Sequence, residues 1–226
     1  TTVPEENVFS PHATENTKPE NFGLKTEIYS GNTKIDMYSL DQFNFGEENN
    51  YSALDGIITF RGNNFRDSAV FGSASLTNKN LEDTWQVTTG TLPSGSGYPA
   101  WTGSGWTGQP LIVKWDAETK NHMNIYPEKK AKEDLVEVIY ATMSGTIYFL
   151  DLEDGTPTRE SMNLGFTFKG AGALDPRGYP LMYVGAGDYN PEGTAPKMFI
   201  INLLDCSILK EYNGTDSIAH RTWCAF

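Results

Sequence analysis

The sequence predicts an all-β fold made of repeated four-stranded units, on three observations. Short runs rich in Val, Ile, Tyr, Phe and Thr recur from Gly56 onward, separated by Gly, Pro, Asn and Asp. They return at the interval of about 8–12 residues expected of sandwiches, barrels and propellers. The stretch IYATMSGTIYFLDLEDG, Ile139 to Gly155, is echoed later by LMYVGAGD and KMFIINLLDC. A self-similar unit of about 40–50 residues with several strands is the signature of a propeller blade. One such unit cannot cover its own apolar faces, so copies must stack. Periodicity therefore favours a propeller over a sandwich.

Residues 1–23, TTVPEENVFSPHATENTKPENFG, are polar, proline-containing and aperiodic. They bury too little apolar area to offset chain entropy and read as a flexible tail or linker. Residues 24–55 read as an N-terminal extension. In it KTEIYSG and KIDMYSL suit a hairpin around Gly31-Asn32, and SLDQFNFG suits one helical turn. The strands expected over 56–226 are GIITF, DTWQVTT, PLIVKW, VEVIYAT, TIYFLDL, TFKGAGAL, PLMYVGA, KMFIINL and SILKEY. One short helix is expected, PEKKAKEDLVE from Pro127 to Glu137.

Tyr140 aligns with Tyr183 and Asp151 with Asn202, so the second copy carries eight extra residues in its central hairpin, supplied by DYNPEGTAP. Four strands fall between Gln109 and Gly165, and four between Lys169 and Asn213. HRTWCAF, His220 to Phe226, reads as the first strand of a third unit. Propellers close with about four to eight blades. The expectation is a partial propeller over 56–226, with the remaining blades supplied by the parent chain or a partner chain.

The formal net charge is −12 and the pI about 4.6. That argues against nucleic acid and anionic membrane surfaces as partners, since both need clustered Lys and Arg. No apolar run approaches the roughly 18 residues of a membrane span. Cys206 and Cys224 permit a disulfide but form no metal-binding pattern.

GSGWTG, Gly103 to Gly108, has dinucleotide-type glycine spacing but precedes the strand PLIVKW, whereas that motif must follow a strand and open a helix. Asp151, Glu153 and Gly155 in DLEDGT leave a calcium loop incomplete. Asp188 and Glu192 in DYNPEG read as solvated loop acids. There is no Gly-x-Ser-x-Gly elbow, and His12, His122 and His220 form no pair. No catalytic, cofactor-binding or metal-binding residue is expected from these patterns. One constellation remains, Tyr98, Trp101 and Trp106 in GYPAWTGSGWTG. Trp and Tyr bury large apolar areas when covered. These three either cap a core or form a stacking platform for a sugar ring or a peptide.

The repeated turn resembles the repeats of the pyrroloquinoline-quinone-type (quinoprotein-like) β-propellers, which carry a sequence close to Ala-x-Asp-x-x-Thr-Gly-x-x-x-Trp. Phe149, Asp151, Asp154, Gly155 and Arg159 stand at those places in the first copy, and Ile200, Asn202, Asp205, Cys206 and Lys210 in the second. The Trp that docks between blades is absent from both. TFRGNNFRDSAVFG followed by LEDTWQVTTG is similar to the entry segment of such propellers, whose strand, here containing Trp85, completes the last blade. The resemblance covers about Ile57 to Phe226.

It implies a propeller of the cofactor-less branch, because the adjacent cysteines of the quinone-binding members are missing. It also implies an exported bacterial protein of the cell envelope or beyond, binding a protein or glycan without catalysis. The alternative is a quinoprotein-like or carbohydrate-active enzyme whose site lies partly in missing blades.

Overall fold

The computed structural model describes residues 14–39, 52–63, 66, 71–73, 75, 77, 80, 82–94, 99–105, 108–188 and 190–213. The chain divides into two compact units, Thr1–Phe45 and Gly46–Phe226.

In the first unit, two 3-10 turns, Glu15–Thr17 and Pro19–Phe22, precede a hairpin of β1 (Ile28–Ser30) and β2 (Thr33–Ile35). Gly31 takes φ +59 at its turn, as the sequence expects of Gly-Asn. The helical turn expected in SLDQFNFG lies outside the described residues, apart from Ser39.

The second unit holds two antiparallel sheets, each a meander in chain order. The first runs β3 (Asp55–Ile57), β6 (Leu111–Lys114), β7 (Glu137–Ala141), β8 (Thr146–Asp151) and β9 (Met162–Asn163). The second runs β10 (Ala173–Leu174), β11 (Leu181–Gly185), β12 (Lys197–Asn202) and β13 (Ser207–Asn213). A small ribbon pairs β4 (Thr91–Leu92) with β5 (Trp101–Thr102). With only the short α1 (Ala117–His122) and α2 (Pro127–Lys130) as α-helices among the described residues, the fold is mostly antiparallel β-sheet, and none of its sheets closes on itself.

Some elements differ from expectation. The helix expected over Pro127–Glu137 stops at Lys130, because Leu135 is drawn into the core and Glu137 opens β7. The helix α1 was not expected; Asp116 caps it by accepting from the Thr119 amide at 2.9 Å. DTWQVTT joins no ladder. Its Trp85 instead docks by side chain, donating from Nε1 to the Leu152 carbonyl at 2.9 Å. The strand expected at HRTWCAF and the partner thiol Cys224 lie outside the described residues.

The repeat is real at the level of hydrogen bonds. After β8 the Asp151 side chain accepts from the Glu153 amide, and Asp154 accepts from the Thr156 amide and hydroxyl. After β12 Asn202 accepts from Leu204, and Asp205 from the Ser207 amide and hydroxyl. Gly155 and Cys206 take φ +68 and +61 at the same place. Cys206 adopts this left-handed conformation at a steric cost that Gly155 avoids. Leu152 and Leu203 donate back to the Val136 and Pro180 carbonyls respectively.

Register corrects the alignment by one residue. Phe149 pairs with Ile139, and Ile200 with Tyr183, so Tyr183 stands where Ile139 does, not Tyr140. The longer hairpin of the second copy therefore has seven extra residues rather than eight.

The two sheets pack through opposite faces of this unit. Cross-strand partners share a face. In the first sheet the row Leu111, Ile139 and Phe149 is buried. Its counterparts in the second sheet, Ala173, Tyr183 and Ile200, lie on the outer side, where Tyr183 and Ile200 are half-buried. The second sheet instead buries Met182, Val184, Phe199 and Ile201. Both buried rows join one cluster, in which Phe199 lies 5.7 Å from Phe166 and 6.3 Å from Phe168 between ring centroids. Such head-to-tail packing repeats without a natural end, unlike a sandwich with a two-fold core.

Candidate functional site

Of the expected aromatic platform, Tyr98 and Trp106 lie outside the described residues. Trp101 sits in β5, opposite Leu92, and is half-buried. The Lys169 ammonium lies 4.2 Å from its ring centroid. One face of that indole is thus engaged by a cation of the same chain.

Arg159, where the resemblance would call for a Trp, lies wholly inside. Its Nε and Nη2 donate to the two Glu137 carboxylate oxygens at 3.0 and 2.6 Å. Glu137 also accepts from Trp115 Nε1 at 2.9 Å and Thr158 Oγ1 at 2.5 Å. Arg159 Nη1 donates to the Leu203 carbonyl of the second sheet at 2.5 Å, and its guanidinium lies 4.8 Å from the Phe149 ring centroid. Both charges are fully buried and fully hydrogen-bonded, the condition under which a buried pair is tolerated. Arg159 joins two sheets and is spent on that task.

Trp85 and Arg159 make the same contact one unit apart: each donates to the carbonyl of the residue after the turn-opening Asp151 or Asn202. Lys210, the third position in the series, lies exposed on β13, 5.7 Å from the Tyr212 ring centroid.

Three acids with lowered pKa values, Asp151, Asp154 and Asp175, sit at strand ends or in the turns that follow. Burial pushes the Asp151 carboxyl up, but Lys129 and Lys132, each 2.8 Å away, together with the Glu153 amide hold it below the ordinary value. The Asp154 carboxyl is lowered to about 2, chiefly by the Thr156 hydroxyl and amide. Asp175 is lowered to about 2, chiefly by Arg177, whose guanidinium donates to both its oxygens, with further bonds from the Arg177 amide and the Tyr183 hydroxyl. These folded-state values lie below that of an unfolded Asp, about 4. Their contribution is complete above that pH and disappears as pH falls toward 2. Urea midpoints should hold steady from pH 7 to 5 and fall from 4 to 2. In Asp175→Asn the acid-limb fall should be shallower.

A cleft of about 250 Å³ opens beside β8 where the chain leaves the ladder before β9. Tyr148 and Leu150 of β8, Val87, Pro157 and Tyr126 form its walls, and Glu160 stands at its edge. Tyr126 donates to Glu160 Oε1 at 2.5 Å. That bond, a little burial, and the charges of Glu160 and Glu128 raise the Tyr126 hydroxyl above its ordinary pKa. Arg159 lines the floor with its charge already matched by Glu137.

The sequence reading singled out none of Tyr126, Tyr148 or Glu160. A signal existed for Tyr148, since alternation along TIYFLDL sets it on the face opposite Ile147 and Phe149. No signal links Tyr126 to Glu160 across thirty-four positions.

Among the described residues no helix is long and apolar enough to cross a membrane, and no three His, Cys, Asp or Glu side chains gather to hold a metal. Comparison with known protein families, curated proteins and solved structures finds no match to this chain.

Proposed function

We propose that the chain is a non-catalytic binding scaffold, part of a quinoprotein-like β-propeller that acts in the cell envelope or outside the cell on a protein or glycan. The observation that carries the architecture is the repeated interlock. Trp85 reaches the turn of the first sheet and Arg159 the turn of the second, while the sheets stack through opposite faces. A further unit laid on the outer face of β11–β13 would meet Lys210 in the same way. The acids with lowered pKa values support a non-catalytic role, because each is held ionised by a structural partner, Asp154 and Asp175 within their own turns and Asp151 by Lys129 and Lys132 of the α2 segment. The location rests on the family resemblance together with the acidic composition.

The test uses the face that head-to-tail stacking leaves uncovered. The isolated chain should self-associate with rising concentration in sedimentation velocity. Ile200→Lys should return it to monomer with its urea midpoint unchanged, since Ile200 lies on the outer row. A chain that stays monomeric, and loses stability on Ile200→Lys as a core residue would, sinks the open stack.

A further inference from the structure

The cleft beside β8 has a chemistry that selects its occupant. At about 250 Å³ it lies below the roughly 300–1,000 Å³ of sites for drug-sized ligands, so it suits one long side chain. Its walls, Val87, Leu150 and Pro157, are apolar, and two tyrosines present rings beside them. Its only net charge is negative: Arg159 is neutralised by Glu137, whereas the Glu160 carboxylate sits at the edge with Glu128 close enough to act on Tyr126. Glu160 Oε1 accepts from Tyr126, and among the described residues Oε2 has no hydrogen-bond donor. An apolar slot with aromatic sides and a carboxylate edge fits an apolar stem ending in a cation.

We propose that this cleft takes the arginine side chain of a protein partner. Arginine fits better than lysine because its planar guanidinium stacks on tyrosine rings and forks onto a carboxylate, while an ammonium does neither as well. Its stem covers the apolar wall. The net charge of −12 draws a basic partner to the surface before docking. Tyr126 positions Glu160 by its hydroxyl, so the carboxylate is pre-set for the guanidinium rather than rotating free in water.

This inference rests on the binding role proposed above but not on the open stack. The probe is the peptide acetyl-Gly-Arg-Gly-amide, titrated at low salt while amide shifts of the protein are followed by NMR. A single side chain should bind with a dissociation constant on the order of millimolar. Shifts should centre on Tyr126, Tyr148 and Glu160. Citrulline in place of arginine, which keeps the shape and removes the charge, should weaken binding at least fivefold, as should Glu160→Gln. Glu160 is exposed, so that variant keeps its fold, which an unchanged urea midpoint confirms. Equal binding by the citrulline peptide, or no effect of Glu160→Gln, overturns the proposal. Equal binding by the lysine peptide overturns the choice of arginine. If the peptide binds while Ile200→Lys behaves as a core substitution, only the stacked architecture falls. If the chain self-associates as expected but the peptide does not bind, only the arginine site falls.

Discussion

Arg159→Leu should destabilise the protein by about 3–5 kcal/mol, the cost of stranding a buried charge whose partner has been removed. The stranded group is Glu137, which retains its bonds from Trp115 and Thr158 but loses both guanidinium donors. The substitution also removes the contact to the Leu203 carbonyl, so the sheets should separate more readily from each other than either unfolds alone. Urea unfolding followed by far-UV circular dichroism gives the size of the loss. Native-state hydrogen exchange shows whether amides of β11 and β12 lose protection first. The double variant Arg159→Leu with Glu137→Leu should recover part of the loss, because no charge is left behind, while Trp115 Nε1 and Thr158 Oγ1 lose their acceptor. Equal loss in the single and double variants would show that packing around Phe149, rather than charge pairing, is what Arg159 supplies.

Gly155→Ala should cost about 2–3 kcal/mol, from two separable causes. Gly155 has φ +68, where an L side chain is strained. A Cβ there would also lie 2.6 Å from ring atoms of Trp85, so the indole must leave its seat and give up the Leu152 carbonyl. Trp85 is half-buried, and its release should shift tryptophan emission to the red. In a Trp85→Leu background the same Gly155→Ala change should cost only the backbone strain. A coupling near zero between the two positions would mean that Trp85 does not dock on this turn.

The docking of Trp85 also marks how far the residues could be read in advance. The entry segment was expected to supply a strand, and the side chain that reaches the first sheet does belong to it, but through an indole–carbonyl bond rather than a ladder. The Trp that the quinoprotein-like motif would place between blades is absent from both copies. Arg159 stands at that place in the first copy and bonds the Leu203 carbonyl of the second sheet. That substitution was invisible because a lone Arg in TPTRES reads as a surface charge. Its acceptors include Glu137, twenty-two positions back, Asn124, thirty-five back, and Leu203, forty-four ahead. The candidate cleft was less legible still. Tyr126, Tyr148 and Glu160 belong to three separate segments, and of the three aromatic residues of GYPAWTGSGWTG only Trp101 is among the described residues, with Lys169 already on its ring.

By itself the sequence determined what local chemistry determines. Period-two alternation set the strands β6–β8 and β11–β12. Asp, Asn and Gly at the turns set the hairpins, and the same turn pattern appearing twice set the repeat. The tertiary structure alone decided which face of each sheet is buried, because both faces of the unit are apolar enough to be core and only the neighbouring copy chooses between them. It alone placed Glu137 and Arg159 in the interior, since a charge can be buried only where a distant partner meets it. Alternation is a property of adjacent residues, whereas burial of a charge is a property of the whole fold.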